Sequence, residues 1–234
     1  MTTLLIATRN AHKVEEIRAI LTDRFRYLTL KDFSGAPAVK EDADTFQGNA
    51  TLKAVKLAEW VAREQPGEFL SAGSNFFVLA DDSGLEVDAL NGAPGVHSAR
   101  FAALDKQLEG NSSDADNNAK LLRLLKDVPP GKRSARFRCV IALTPVFQLS
   151  AAGSSPVCDA NEFELQTQIF DGACEGSIST KPSGLGGFGY DPLFVPNGYQ
   201  QSFAELGEVT KNQLSHRAKA LAKLRQRLDS MSAV

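Results

Sequence analysis

At 234 residues, 43% of them hydrophobic, the chain is long enough to bury one sizeable core in a single large or two-lobed domain. A formal net charge of −2 and a pI near 6.0 exclude a broad basic footprint for duplex nucleic acid and leave only local basic pockets. No apolar run approaches the roughly 20 residues that span a bilayer. "MTTLLIATRN" turns polar too soon for a signal peptide, and three widely spaced cysteines (Cys139, Cys158, Cys174) without a CxxC fit a reduced, cytoplasmic protein.

In chain order, "TLLIA" reads as a buried opening strand. "TRNAHKVEEIRAIL" follows as a helix with Val14, Ile17 and Leu21 on one face and Thr8 or Asn10 as its cap. "TFQGNATLKAVKLAEWVAR" is a second helix, with Ala50, Ala54, Leu57 and Val61 on one stripe. "FFVLA" is a short apolar strand that ends at Asp81-Asp82-Ser83-Gly84. "SSDADNNAKLLRLLKDV" is a third helix, stopped by Pro129-Pro130. "ARFRCVIAL" and "EFELQTQIF" both alternate, the second through Phe163, Leu165, Thr167 and Ile169, and are expected to pair as antiparallel strands. The polar "TPVFQLSAAGSSPVCDAN" between them reads as a long hairpin loop. "SHRAKALAKLRQRLDS" closes the chain as a helix. Strands and helices interleave, so the class is α/β with a mixed sheet.

Five stretches carry candidate chemistry. In "TRNAHK" a helix start offers free N–H groups, Thr8 and Asn10 add polar side chains, and Lys13 adds charge one turn in. That suits phosphate, though ordinary capping explains much of it, and no P-loop is present. Asn49 and Lys53 share a helix face four residues apart, downstream of the acidic Glu41, Asp42 and Asp44. At Asp81-Asp82 the expected strand end sends one carboxylate into a cleft and leaves the other to support a turn. Oxygen ligands there suit Mg²⁺, and strand termini are where α/β sheets place ligands. In "SGLGGFGYDPLF" the glycines admit close backbone approach, Phe188 and Tyr190 offer π-faces, and Asp191 offers an acceptor for a base edge. Finally, Ser215 reads as an N-cap that places His216 and Arg217 in a first helical turn. Cations are disfavoured there, so a ligand or an acidic partner is expected to compensate them.

In this order, "ATRNAHK", "TFQGNATLKA", "ADDSGLEVDALNGAPGVHSAR", "GGFGYDPLF" and "LSHRAKAL" resemble the inosine triphosphate pyrophosphatase family, from about Thr3 to Leu228. The resemblance implies a long twisted mixed sheet with flanking helices, in one two-lobed domain over 1–234 around a central nucleotide-binding cleft. It also implies Mg²⁺ dependence, a homodimer, and hydrolysis of dITP, ITP and XTP to the monophosphate and pyrophosphate. Carried over by position, Thr8, Arg9, Asn10, Ala11, His12 and Lys13 match the triphosphate-binding segment. Asp82 matches the catalytic carboxylate and metal ligand, Ser83 its neighbouring substrate contact, and Lys53 the lysine of the second motif. Phe188, Gly189, Tyr190 and Asp191 match the base loop, and Lys211, His216 and Arg217 the residues that close over the base. The resemblance makes Glu41 the expected second metal carboxylate. Gly48 stands where the family has Glu, His97 where Tyr is typical and Ala218 where Gly is typical, while "EFLSAGSNF" and the region of residues 147–161 look like peripheral insertions. A pyrophosphatase for other modified nucleotides and a non-catalytic nucleotide-binding regulator are the rival readings. "SHR" with "GGFGYDP" disfavours the first, and Asp82 with Lys13 and Lys53 disfavours the second.

Overall fold

In the computed structural model, which describes residues 1–64, 75–106, 110–147 and 161–231, the first apolar run is β1 (Thr3–Ile6), buried along its whole length. Asn10 caps α1 (Ala11–Leu21), its Oδ1 accepting the Lys13 N–H at 3.3 Å, and Ile17 and Leu21 face inward as their spacing predicts. The chain then forms β2 (Arg26–Thr29) and, after Thr45 accepts the Gly48 N–H at 3.0 Å, α2 (Phe46–Glu64). The predicted stripe Ala50, Ala54, Leu57 and Val61 is buried. β3 (Phe76–Val87) follows, and β1 pairs in parallel with both β2 and β3. Parallel neighbours need crossovers, which α1 and α2 supply.

α3 (Asp114–Leu124) starts at the Ser113 cap and ends before Pro129. β4 (Ser134–Pro145), the short α4 (Glu162–Leu165), β5 (Gln168–Ile178), β6 (Phe194–Pro196), α5 (Phe203–Leu214) and α6 (His216–Met231) complete the described elements. The six strands form one mixed sheet in the order β2-β1-β3-β4-β5-β6, with β5 and β6 antiparallel.

Two expectations are corrected. The strand beginning "FFVLA" does not stop at the aspartates: β3 runs through Asp81, Asp82, Ser83 and Gly84 to Val87. β1 pairs only with Phe76–Leu79; beyond it Lys53 donates to the Asp81 carbonyl at 2.8 Å, Ser98 Oγ accepts the Leu85 N–H at 2.9 Å, and Lys13 and Lys53 face the carboxylates, so these partners and burial override the turn preference of Asp-Asp-Ser-Gly. In "EFELQTQIF", residues 162–165 are helical and the strand begins only at Gln168. The Asn161 side chain accepts the Phe163 N–H at 3.0 Å and caps that turn, which buries Phe163 and leaves Leu165 exposed. β4 and β5 are neighbours as expected. Most of the proposed long loop and of the "EFLSAGSNF" insertion, with Cys158, lies outside the described residues.

The chain divides into two compact units, residues 1–82 with 140–170 and residues 83–139 with 171–234. The core of the first is built from β1, the inner faces of α1 and α2, and the apolar start of β3. The second gathers Leu85, Val87, Phe101, Leu121, Phe137, Phe194 and Phe203. There Phe137 lies 4.7 Å from Phe194, centroid to centroid, and stacks on His216 at 4.8 Å with planes 13° apart.

Candidate active site

The first unit gathers charge around the two aspartates of β3. Thr8 follows β1, and its Oγ1 accepts the Asn10 N–H at 3.2 Å, so both predicted polar residues shape the start of α1. Arg9, Asn10, Ala11 and His12 are exposed there, with His12 3.7 Å from Glu15. Lys13 turns inward and its Nζ donates to Asp81 Oδ1. Asp81 is therefore an ion-pair partner inside a strand, not the support of a turn.

Lys53, one helical turn after Asn49 on α2, donates to the Asp81 carbonyl at 2.8 Å. The same ammonium lies 3.2 Å from Glu41 Oε2 and 3.8 Å from Asp82 Oδ1. Glu41, Lys53 and Asp82, which come from three separate stretches of the sequence, are thus brought together in one cluster. Burial pushes the Asp82 carboxyl up to about 6, against the pull of Lys53 and Lys13; Glu41 adds to the rise. Oδ2 of Asp82 is buried and makes no hydrogen bond among the described residues.

Asn49 is the residue that sequence reasoning placed on a face without giving it a role. It is fully buried. Its Oδ1 accepts the Ala43 N–H at 3.0 Å, which fixes the amide orientation. Its Nδ2 makes no hydrogen bond of good geometry among the described residues, yet the amide lies close enough to favour the charged form of Asp82. The only signal in the sequence was the i, i+4 spacing to Lys53. Gly48 has a local cause: a Cβ there would sit 2.7 Å from the Cβ of Ala43, so the segment before α2 closes over the position and leaves no room for a side chain.

The second unit holds the other predicted residues. Arg217 is almost fully buried in the first turn of α6, where Ser215 Oγ accepts the Ala218 N–H at 3.2 Å and caps the helix as expected. Its guanidinium donates to Ser83 Oγ at 2.8 Å and lies 6.0 Å from the Phe188 ring centre. α6 packs so closely on β5 that a Cβ on Gly172 would meet the His216 carbonyl oxygen at 2.1 Å. Lys211 of α5 is buried and donates to Asp191 Oδ2 at 2.6 Å, with its ammonium 4.3 Å from the Phe188 ring centre. Asp191 Oδ2 also accepts the Phe188 N–H at 2.9 Å. Gly187, at φ +74°, lets the carboxylate in: a Cβ there would lie 2.2 Å from Asp191 Oδ2.

One expectation for this loop changes. Tyr190 offers no exposed π-face, because its ring belongs to the core of the second unit and its hydroxyl donates to the Ser98 carbonyl at 2.9 Å. Burial raises its pKa far above the usual phenol value, so it stays a neutral donor. Phe188 is half-buried and keeps its ring beside two cations.

The donors around Asp82 are carboxylate oxygens, a set suited to a hard divalent cation. Among the described residues no group of three or more His, Cys, Asp or Glu could hold a metal by itself. No described helix is long and apolar enough to cross a membrane.

Residues 4–227 match the model of the Ham1 family. The dITP/XTP pyrophosphatase of Shouchella clausii is 40% identical over 231 residues, covering 99% of this chain and 98% of that one. The dITP/XTP pyrophosphatase of Desulforamulus reducens is 43% identical over 229 residues, covering 97% and 96%. Among solved structures, a HAM1 protein from Coxiella burnetii superposes with a TM-score of 0.74 at 34% identity, covering 98% of this chain and all of that one. A nucleoside-triphosphatase, dITP/XTP pyrophosphatase, from Mycobacterium abscessus gives 0.64 at 34% identity, covering 95% and 98%.

Proposed function

The chain belongs to the Ham1 family, and from that premise we propose that it is a cytoplasmic pyrophosphatase that hydrolyses dITP, ITP and XTP to the monophosphate and pyrophosphate. The names of its relatives support the substrate class. The observation that carries the chemistry is Asp82: a buried carboxylate with a raised pKa, flanked by lysines and with one oxygen that makes no hydrogen bond among the described residues. Binding alone gives no reason to bury such a group.

The Asp82 carboxylate is the acceptor for the proton of the attacking water. With a pKa near 6 the group is mostly ionised at neutral pH and basic enough to take that proton. Lys13 and Lys53 supply positive charge for the phosphate oxygens, and in a buried setting that charge is weakly screened. Asp82 and Glu41 are the residues that would hold Mg²⁺. The orphaned Oδ2 and the all-oxygen donor set fit it, and two carboxylates with substrate phosphates are the usual complement for this ion. When bound, Mg²⁺ would neutralise charge on the phosphates. Phe188, Lys211, His216 and Arg217 are assigned to the base. An Arg217 N–H aimed at a 6-keto oxygen accepts hypoxanthine and xanthine, whereas the 6-amino group of adenine would leave two donors facing each other. Homodimer formation is part of the same proposal and rests on the resemblance alone.

The test is pyrophosphate release from dITP, XTP, dGTP and dATP, with Mg²⁺ and after EDTA. The expected result is turnover of dITP and XTP that far exceeds that of dATP and disappears with EDTA. Equal rates on all four nucleotides, or full turnover after EDTA, would overturn the reading of the base site or of the metal respectively.

A further inference from the structure

The loop that carries Phe188 is held from outside by a helix to which nothing yet assigns a role. Gly189 sits in the left-handed region at φ +63°, and both of its backbone polar groups are taken by α3. Its N–H donates to Asp114 Oδ2 at 2.7 Å, and its carbonyl accepts from Asn118 Nδ2 at 2.9 Å. Residues 114 and 118 are four apart, so they stand on one helix face and grip one residue as a pair. Asp114 lies in the first turn after the Ser113 cap, where the helix dipole favours an acidic side chain.

Asn118 makes a stability role the weaker explanation. The carbonyl it serves requires a donor, so the amide orientation is fixed, and its Oδ1 is then buried without a hydrogen bond among the described residues. An unsatisfied buried acceptor opposes folding. A residue retained for packing alone would not carry that cost, whereas a residue retained for its grip on Gly189 does.

We propose that Asp114 and Asn118 are positioning residues that set Phe188 against Lys211 and Arg217 and thereby set base selectivity. This rests on the reading of residues 188–191 as the base loop. The inner side of the loop is fixed by Asp191, which accepts from Phe188 N–H and Lys211, and by the Tyr190 hydroxyl on Ser98. The α3 pair fixes the outer side at Gly189, next to Phe188. With the outer bonds gone, the ring is free to move relative to the two cations, and donors misplaced by a fraction of an ångström no longer discriminate between base edges.

The experiment compares wild type, Asp114→Ala, Asn118→Leu and the double variant, with Asp114→Asn as the conservative rescue because it keeps an acceptor oxygen. Four quantities are read: kcat and KM for ITP and for ATP, the inhibition constant of inorganic triphosphate (which has no base), and Tm. Each single variant is expected to raise KM for ITP about 10-fold, the size of one good hydrogen bond. kcat should stay within about 2-fold, and the triphosphate constant should not move, because those readouts do not depend on the base loop. The ITP/ATP ratio narrows, and Asp114→Asn restores most of it. A ratio that stays constant while ITP and ATP fall together, or while Tm falls, means that the pair serves the fold and overturns the proposal. A wild type without preference for ITP overturns the base-loop reading as well. A wild type with that preference and variants of unchanged ratio overturns the α3 pair alone.

Discussion

Asp82 is costly to the fold. Its carboxyl is raised from 3.8 to about 6 because burial disfavours the charge more than Lys53 and Lys13 favour it. A folded pKa above the unfolded one means that the native state binds the proton more tightly. Below about pH 4 both states are protonated and the group makes no difference; between about pH 4 and 6 the unfolded state ionises while the native state holds its proton, so stability falls by about 2–3 kcal/mol and stays lower above pH 6. Asp82→Asn removes that loss. At pH 7.5 the variant should lose most of its turnover yet melt several degrees higher than wild type, at the usual 2–4 °C per kcal/mol for a chain of this size. The gain should shrink towards pH 4. Added Mg²⁺ should raise the Tm of wild type and leave that of the variant nearly unchanged, since the variant lacks the anion that draws the metal. Calorimetry from pH 4 to 8, with and without Mg²⁺, reads all of this. A variant that melts lower than wild type at pH 7.5 would place Asp82 among the residues that hold the strand together.

At the scale of elements, what the sequence made legible was what local chemistry decides. The caps Asn10 and Ser215 and the stripe from Ala50 to Val61 follow from side-chain types at fixed spacing. The extension of β3 through Asp81 to Gly84 was not legible, because the partners that permit it arrive from residues 13 and 53. The burial of Tyr190 has no local signal for the same reason: its acceptor is 92 residues away, at Ser98. The helix at residues 162–165 turned on a single cap, and alternating Phe163 and Leu165 satisfied a strand pattern equally well. β6, at three residues, is too short to show a period. α5 did leave a signal that went unread. Ser202 and Glu205 form a reciprocal capping box, with Oγ of Ser202 accepting the Glu205 N–H at 3.3 Å and Oε2 of Glu205 accepting the Ser202 N–H at 2.9 Å. The Ser202 hydroxyl also donates to the Ser183 carbonyl at 2.7 Å and so ties α5 to the glycine-rich loop. Ser202→Ala should therefore cost about 1–2 kcal/mol, at the upper end for a cap, because it also orphans a carbonyl. Urea unfolding with an unchanged m-value would measure it. A change within about 0.3 kcal/mol would mean that neither bond persists in solution.

At the scale of the whole molecule, charge separates recognition from attraction. The chain carries a net charge of −2 and its proposed substrate is a polyanion, so no general field draws the two together. The cations assigned to the nucleotide are instead local and mostly hidden: Lys53, Lys211 and Arg217 are buried, and each already contacts an oxygen or an aromatic ring of this chain. Salt screens exposed charges over about 10 Å at 0.1 M but hardly reaches pairs at contact distance in a protein interior. Binding would then exchange internal partners for phosphate and base rather than release a counterion atmosphere, as a basic groove on nucleic acid does. Two outcomes follow for kcat/KM on ITP at fixed free Mg²⁺. Raising KCl from 50 to 200 mM should change it by no more than about 3-fold, where a protein that makes many exposed phosphate contacts loses several orders of magnitude in affinity. An excess of duplex DNA should not inhibit. A steep fall with salt, or competition by DNA, would mean that exposed cations such as Arg9 carry the substrate in, and that the acidic balance of the whole chain hides a functional basic surface.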